Sequence, residues 1–495
     1  MPMSPNRTDP FRRAAPWVSG LACLALVACS TPAPPAPPDT RAVAGAFRQA
    51  PAASAGEALD AASWRGFGDP VLEQLLQRAR SANLDVRIAA QRVRQARAGS
   101  AAAASRLQPT VAFTGSASDQ RSGLPAEVKR GSPDTRALRG GLELGWELDL
   151  FGAARAAADA AELDALAADA GVEVAQWLAT TEVARQYLIW QGARLRLQQL
   201  SALLQAQQDS ERLTVSRQSA GLASRFELSR ASGEVQSLAA QLPPLRSLVA
   251  VTGHQIDLLV GAGPAAPVPD WRDDTPPRLP EVPALSPGQP IELLQRRPDL
   301  RAAQQQWLAE AARLRESQAD QFPRLFVSAL LGQQDLRLNA LDLAPVRFSQ
   351  VALAFTMPVF NAGRLRAAVE RQSARERMAT LQLEKAVLGA LQDVENSLVA
   401  LAQERERTAT LSAAVDSRRQ GLRHAESLQR EGQIDRLQLL DAQRGLIAAE
   451  LALTDSRTQQ ALGAVLLVKA LGGGWYAEPP ATTAAVNPPA TARTR

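Results

Sequence analysis

Two stretches of this chain repeat one plan at a near-constant offset, and that repetition limits the fold more than any other feature. Residues 291–331 read IELLQRRPDLRAAQQQWLAEAARLRESQADQFPRLFVSALL, a helix closed by Pro323 and followed by strand-like alternation. Their counterpart lies 214 positions earlier: Asp85 matches Asp299 and Pro109 matches Pro323. Asn83-Leu84-Asp85-Val86 corresponds to Arg297-Pro298-Asp299-Leu300. Further on, Phe151 matches Phe360 and Arg155 matches Arg364 at 209, and Gly221 matches Gly432 and Gly261 matches Gly472 at 211. The chain reads as two halves of one architecture, the second with a shorter strand–strand loop.

Within each half the hydrophobic period changes in the same order. From Trp64 to Leu107 the spacing predicts one helix or two abutting ones, started by Asp69-Pro70 and broken at Asn83-Leu84-Asp85. Val111, Phe113, Gly115 and Ala117 then alternate with polar or small residues. So do Leu142, Leu144, Trp146, Leu148 and Leu150. The second half gives Leu325, Val327, Ala329 and Leu331, then Val351, Leu353, Phe355, Met357 and Val359. A period of two over about ten residues suits a tilted membrane strand, one face to lipid and one to water. Strands are expected at about 109–119, 141–151, 323–332 and 349–360.

Long helices follow each strand pair. They are expected at about 153–217 and 224–259, then 362–428 and 437–470. Proline is absent from Ala153 to Arg217, and roughly 60 helical residues span about 90 Å. Val183, Tyr187, Trp190, Leu197 and Leu204 mark a seam, as do Val387, Leu391, Val394, Leu398 and Leu401. Ile447, Leu451, Thr454, Thr458, Ala461, Val465 and Val468 keep the same 4-3 spacing, which argues for coiled-coil packing. Pro243-Pro244 predicts a kink, and Gly221 and Gly432 mark reversals between paired helices.

The N-terminus reads as an address. Arginines precede an apolar run at 14–28 that is short for a bilayer span. Leu26-Val27-Ala28-Cys29 has the form of a lipobox, predicting cleavage before Cys29. The expected lipids are S-diacylglycerol and N-palmitoyl, with Ser30 favouring the outer membrane. The resulting division is a signal peptide 1–28, a lipidated Cys and Pro/Ala tether 29–58, and a first repeat 59–261. A Pro-rich connector 262–290, a second repeat 291–472 and a disordered tail 473–495 complete it.

Several function classes lose their material here. Cys23 and Cys29 are the two cysteines, and His254 and His424 the two histidines. A disulfide framework, a Cys-based metal site in the body and histidine-driven catalysis all lack ligands or bases, so no metal or other cofactor is expected. A net charge of +5, spread evenly, gives no nucleic-acid footprint. Gly-x-Ser-x-Gly and His-Glu-x-x-His are absent, so an enzyme reading has no motif to stand on. No segment offers 18 uninterrupted apolar residues, which leaves a barrel as the only way across a membrane. Four strands do not close a barrel. Two copies supply eight, and three supply twelve with room for a passage.

The sequence resembles the outer-membrane efflux factor (TolC-like) family, in particular its lipoprotein branch serving resistance-nodulation-division (RND) pumps. The lipobox Leu26–Cys29, Trp64 with Phe67–Pro70, and Leu294–Leu300 carry the resemblance. So do Phe322-Pro323, Pro358–Phe360 with Gly363-Arg364, Leu439–Gln443 and Leu471–Trp475. It covers roughly 58–475. It implies a mainly α fold with membrane β: a homotrimer with a 12-stranded outer-membrane β-barrel continued by a periplasmic α-helical barrel. It also implies a periplasmic membrane-fusion adaptor and an inner-membrane RND-type pump as partners, with outer-membrane lipid around the barrel. Drugs or other solutes leave passively, so no catalytic residue is implied.

The same resemblance places an acidic constriction at Asp441, with Asp435 at the reversal as a second candidate. Gln438 stands where some relatives carry an aspartate. It also places adaptor contacts at the hairpin tips, Gly221, Ser224, Arg225 and Gly432. The alternative reading is a lipid-anchored periplasmic coiled-coil adaptor or scaffold without a pore. Such a protein would show one helical hairpin flanked by β segments, rather than two hairpins and two strand pairs.

Overall fold

The computed structural model describes residues 47–48, 61–121, 123, 125, 134–263, 271–272, 277–283, 285, 287–338, 341–342 and 344–473. The expected lipid site Cys29, the tether apart from Phe47 and Arg48, and the tail after Gly473 lie outside them.

The first half runs α1 (Pro70–Ala82), α2 (Leu84–Ser105), β1 (Thr110–Gln120), β2 (Thr135–Leu148), α3 (Ala153–Ser219), α4 (Arg225–Ala239) and α5 (Leu242–Leu259). The second runs through a single turn, Leu293–Arg296, to α6 (Pro298–Ala319), β3 (Arg324–Leu338) and β4 (Leu341–Asp342). It continues with β5 (Val346–Thr356), α7 (Arg364–Arg430) and α8 (Arg436–Ala470). The helices α3 and α7 each have 67 residues, and both of their ends are 211 positions apart. The duplication is therefore structural as well as sequential. Pro243 and Pro244 do more than kink their helix. They lack the N–H groups that would continue it, so α4 ends at Ala239 and α5 starts afresh at Leu242.

The chain forms two compact units, each drawn from several stretches. One comprises 95–165 and 305–381 and carries all the described strands. Its sheet is antiparallel, with β1 beside β2, β2 beside β3, and β3 beside β5. The register lines up the apolar residues of every strand. Val111 pairs with Leu144, Leu144 with Ala329, and Ala329 with Val351. Trp146 pairs with Val327, and Val327 with Leu353. This apolar face is bare: Phe113 is 77% exposed and Val351 80%. Among the described residues, the outer edges of β1 and β5 have no strand partner.

The strand ends differ from expectation. At the helix-connected end, β2 stops at Leu148 and β5 at Thr356, so Leu150, Met357 and Val359 lie outside them. Pro358 has no N–H to donate and holds Met357 away from the ladder's continuation. At the other end, β2 begins at Thr135 and β3 continues to Leu338, about six residues beyond expectation each. Pairing there extends past the apolar alternation, through Gln333, Asp335 and Arg337. The offset after the strands is 211 rather than 209. Gly152 (φ 79°) and Gly363 (φ 85°) hold the same left-handed turn before α3 and α7. Phe151 and Phe360 are therefore not equivalent. Ala362 (φ 50°) belongs to the longer second connection.

The second unit holds the principal core. Val183, Tyr187, Leu188 and Trp190 of α3 pack with Val394, Leu398 and Leu401 of α7 and with Ala461, Val465 and Val468 of α8. Trp64, Phe67, Leu72 and Leu76 join the same cluster. Small residues let the helices approach: a Cβ on Gly192 would lie 2.6 Å from Thr458 Oγ1. A buried polar chain runs through this core. Asp69 caps α1 by accepting from the N–H groups of Val71 (3.0 Å) and Leu72 (3.1 Å), and accepts from the Tyr187 hydroxyl at 2.8 Å. Gln191 donates to that hydroxyl at 2.9 Å. Burial, foremost, and the Asp69 carboxylate push the Tyr187 phenol well above its ordinary pKa.

The repeat corners are structural. Asn83 Nδ2 donates to the Leu259 carbonyl at 2.8 Å, at the end of α5. Arg297, its repeat counterpart, donates to the Ala470 carbonyl at 3.3 Å, at the end of α8. Arg297 also pairs with Asp299 (2.8 Å) and Asp393 (3.1 Å). The stretch 296–300 thus fastens the start of α6 to the end of its helical hairpin. No described helix is long and apolar enough to cross a membrane.

Candidate functional site

The two hairpin tips lie together in the second unit. Each reversal is closed in the same way. At the first, Leu222 N–H donates to Arg217 O (2.7 Å) across Gly221, whose φ is 72°. At the second, Gln433 N–H donates to Leu428 O (2.8 Å) across Gly432, φ 73°. Both are glycine-terminated helix ends in which a left-handed residue lets the chain satisfy the last carbonyls.

The next helices start alike too. Ser224 caps α4 and makes a reciprocal pair with Glu227: Glu227 N–H donates to Ser224 Oγ (3.2 Å), and Ser224 N–H to Glu227 Oε2 (2.6 Å). That backbone donor holds the exposed Glu227 carboxyl below its ordinary pKa. Asp435 caps α8 and exchanges bonds with Gln438 at 2.8 and 3.1 Å. A capping box of this kind satisfies two orphan donors at once. It explains Gln438, which serves the helix start.

Asp435 has a second role. Its Oδ2 lies 3.3 Å from Arg217 Nη1, so the last turn of α3 is tied to the first of α8. Asp441 lies two turns further on, with its side chain 77% exposed and Arg444 at 3.8 Å. Arg444 also reaches Glu234 of α4 at 3.7 Å, a second link between the hairpins. These groups line a recess of about 430 Å³ floored by Gln207, Ser210 and Thr214 of α3. Arg225 is exposed at the first residue of α4. The structure therefore brings Asp435, Asp441 and both tips into one cluster.

Sequence reasoning missed the Arg217–Asp435 tie and the role of Arg444. The repeat held part of the signal. Ser224 and Asp435 are 211 apart, as are Glu227 and Gln438, so the caps were readable as a pair. Arg217 has Leu428 at its equivalent position, so repeat symmetry does not lead to it.

A family model described as "Outer membrane efflux protein" matches residues 75–262 and 290–473, nearly the two repeats. The chain belongs to the outer membrane efflux protein family. Similar relatives include the toluene efflux pump outer membrane protein TtgC of Pseudomonas putida. It is 30% identical over 442 residues, covering 88% of this chain and 90% of TtgC. Outer membrane protein OprJ of Pseudomonas aeruginosa is 30% identical over 470 residues, covering 94% and 97%. The solved outer-membrane channel OprN matches with a TM-score of 0.80 at 30% identity, covering 90% of this chain and 99% of that one. This efflux protein is an outer-membrane exit duct with a TolC-like fold, and the relatives are channel proteins rather than enzymes. The poreless scaffold reading is set aside by the same findings.

Proposed function

We propose that three copies of this chain close one barrel and that the clustered hairpin tips form its periplasmic aperture. The observation that carries this is the sheet of four long strands, with a bare apolar face and two unpaired edges among the described residues. In lipid an open edge leaves backbone donors and acceptors without partners, at several kcal/mol each. Pairing β5 of one copy with β1 of the next removes every edge. Three copies then give about twelve strands, wide enough for a passage.

In this reading an inner-membrane RND-type pump and a periplasmic adaptor deliver drugs or other solutes, and the duct performs no chemical step. The adaptor meets the tips around Gly221, Ser224, Arg225 and Gly432. Asp441, exposed beside the recess, places one carboxylate per copy around the aperture and focuses a negative potential there. Asp435 is the latch residue, held by Arg217. Cys29 carries the lipid anchor. The reversal potential of reconstituted channels under a salt gradient tests the aperture. Asp441→Asn is expected to lower cation preference, and an unchanged reversal potential removes Asp441 from the aperture.

A further inference from the structure

We infer that the outer end of the lipid-facing sheet surface binds the phosphorylated saccharide headgroup of lipopolysaccharide, the glycolipid of the outer leaflet. The inference rests on the proposed reading, in which the helices extend into the periplasm and the strand–strand loops face outward.

Side chains on one face of a sheet recur every second residue, in rows about 6.8 Å apart. From the helix-connected rim the rows of the exposed face are apolar, through Trp146, Val327 and Leu353 to Phe113, Leu142 and Leu331, with Ser349 at the β5 end of that last row. Then the chemistry changes on the same face. Gly115, Gly140, Gln333 and Arg347 share one row. Ala117, Leu138 and Asp335 share the next, and Asp119, Arg136 and Arg337 the one after.

The change falls at the right height. Along β2 the Gly140 row, which holds Arg347, and the Leu138 row lie about 27 and 34 Å from Leu148 at 3.4 Å per residue. With a tilt of about 40° they stand at roughly 21 and 26 Å, on either side of the edge of the about 25 Å apolar band of an outer-membrane barrel. Arg136 therefore stands just past the hydrocarbon, on a central strand whose face is fixed by alternation. A recess of about 440 Å³ opens there, lined by Arg136, Arg337, Asp119, Asp335, Ala117 and Leu138.

The charges favour an anionic ligand rich in hydroxyl groups. Arg136 and Arg347 are exposed and make no ion pair with any described residue. An arginine fork matches phosphate oxygens bidentately. Asp335, and the oxygen of Asp119 that does not meet Arg121, are acceptors suited to sugar hydroxyls. The row nearest the apolar band has glycine at both Gly115 and Gly140, with the Phe113 ring beside Gly140. The Phe113 ring fills the place a side chain on Gly140 would take, so an apolar surface reaches up to the Arg347 row. A phosphorylated saccharide carrying acyl chains uses the arginines, the carboxylates and this apolar surface together, whereas a simple anionic phospholipid has no sugar hydroxyls for the carboxylates.

Native mass spectrometry of the purified full-length oligomer tests this, with bis-phosphorylated lipid A, dephosphorylated lipid A and phosphatidylglycerol as probes. Wild type is expected to retain bis-phosphorylated lipid A at least tenfold better than either other probe. Arg136→Gln/Arg347→Gln is expected to lose that preference while still inserting and conducting. Equal retention of phosphorylated and dephosphorylated lipid A by wild type overturns the inference, as does equal retention of phosphatidylglycerol. Full retention by the double variant overturns it too. These outcomes, in a protein that still conducts, leave the duct reading intact. A wild-type protein that neither inserts nor conducts sinks the duct reading instead.

Discussion

Arg217 Nη1 lies 3.3 Å from Asp435 Oδ2, joining the end of α3 to the start of α8. The two side chains come from different repeats, 218 positions apart. Both are substantially exposed, so the pair contributes little to stability, on the order of 0–1 kcal/mol. Its value is geometric: it fastens one helical hairpin to the other, and the aperture proposed above widens only if the two part.

Separating the latch from the cap is the first prediction. Asp435→Asn keeps a capping oxygen for the Gln438 N–H and removes the charge that holds Arg217. It is expected to raise the open probability of single channels with little change in thermal stability. Asp435→Ala is expected to raise it similarly and to cost about 1 kcal/mol more through the lost cap. Arg217→Ala should match the Asn variant, and a closed channel in all three would deny the latch.

The corners give the second. Asn83 caps α2 and holds the Leu259 carbonyl, so Asn83→Ala is expected to cost about 1–2 kcal/mol. Arg297 is buried and meets two carboxylates, a carbonyl and the Trp177 ring at 5.3 Å. Asp299 and Asp393 are part-exposed and can turn to water, so Arg297→Ala is expected to cost about 2–3 kcal/mol, through the Ala470 carbonyl left without its donor and the lost packing of the buried stem. Denaturant midpoints of the second unit's tryptophan fluorescence check the order of the two effects.

The third concerns alkaline pH. The Tyr187 phenol is raised in the fold, so its neutral form is favoured there. The stability it supplies is complete below the unfolded value of about 10 and falls as pH rises above it. Tyr187→Phe is expected to flatten the loss of stability above pH 10. At neutral pH it costs about 1–2 kcal/mol, by leaving Asp69 and Gln191 short of a partner. Parallel pH–stability curves for the two proteins would contradict this.

The fourth concerns the sheet. A Cβ on Gly332 would lie 2.5 Å from the Gly140 carbonyl oxygen, and one on Gly141 would lie 2.7 Å from that of Leu331. Backbone atoms in a paired ladder cannot give way, so either Gly→Ala change is expected to abolish insertion into membranes. Gly99 in α2 has nothing within 4 Å. Gly99→Ala is expected to insert normally and gain up to about 1 kcal/mol of helix stability. Heat-resistant oligomer on gels reads all three.

Much of this architecture is legible in the sequence, for a physical reason. Duplication gives each element a second witness, so Gly221 and Gly432, or Asp85 and Asp299, confirm one another. Long seams such as Val394–Leu398–Leu401 carry a strong period because they bury a continuous face. The strand ends were less legible. Apolar alternation reports the stretch of strand that meets lipid, whereas backbone pairing continues through Asp335 and Arg337, where the side chains are polar. The tip cluster was legible only in part. Asp435 sits in a repeated capping box, but Arg217 finds it across 218 positions, a contact that no local spacing encodes.

The mass and conductance of the purified protein test the trimeric duct most directly. Native mass determination combined with planar-bilayer recording is expected to show three chains per particle and discrete conductance steps. A soluble monomer that gives no steps would contradict it.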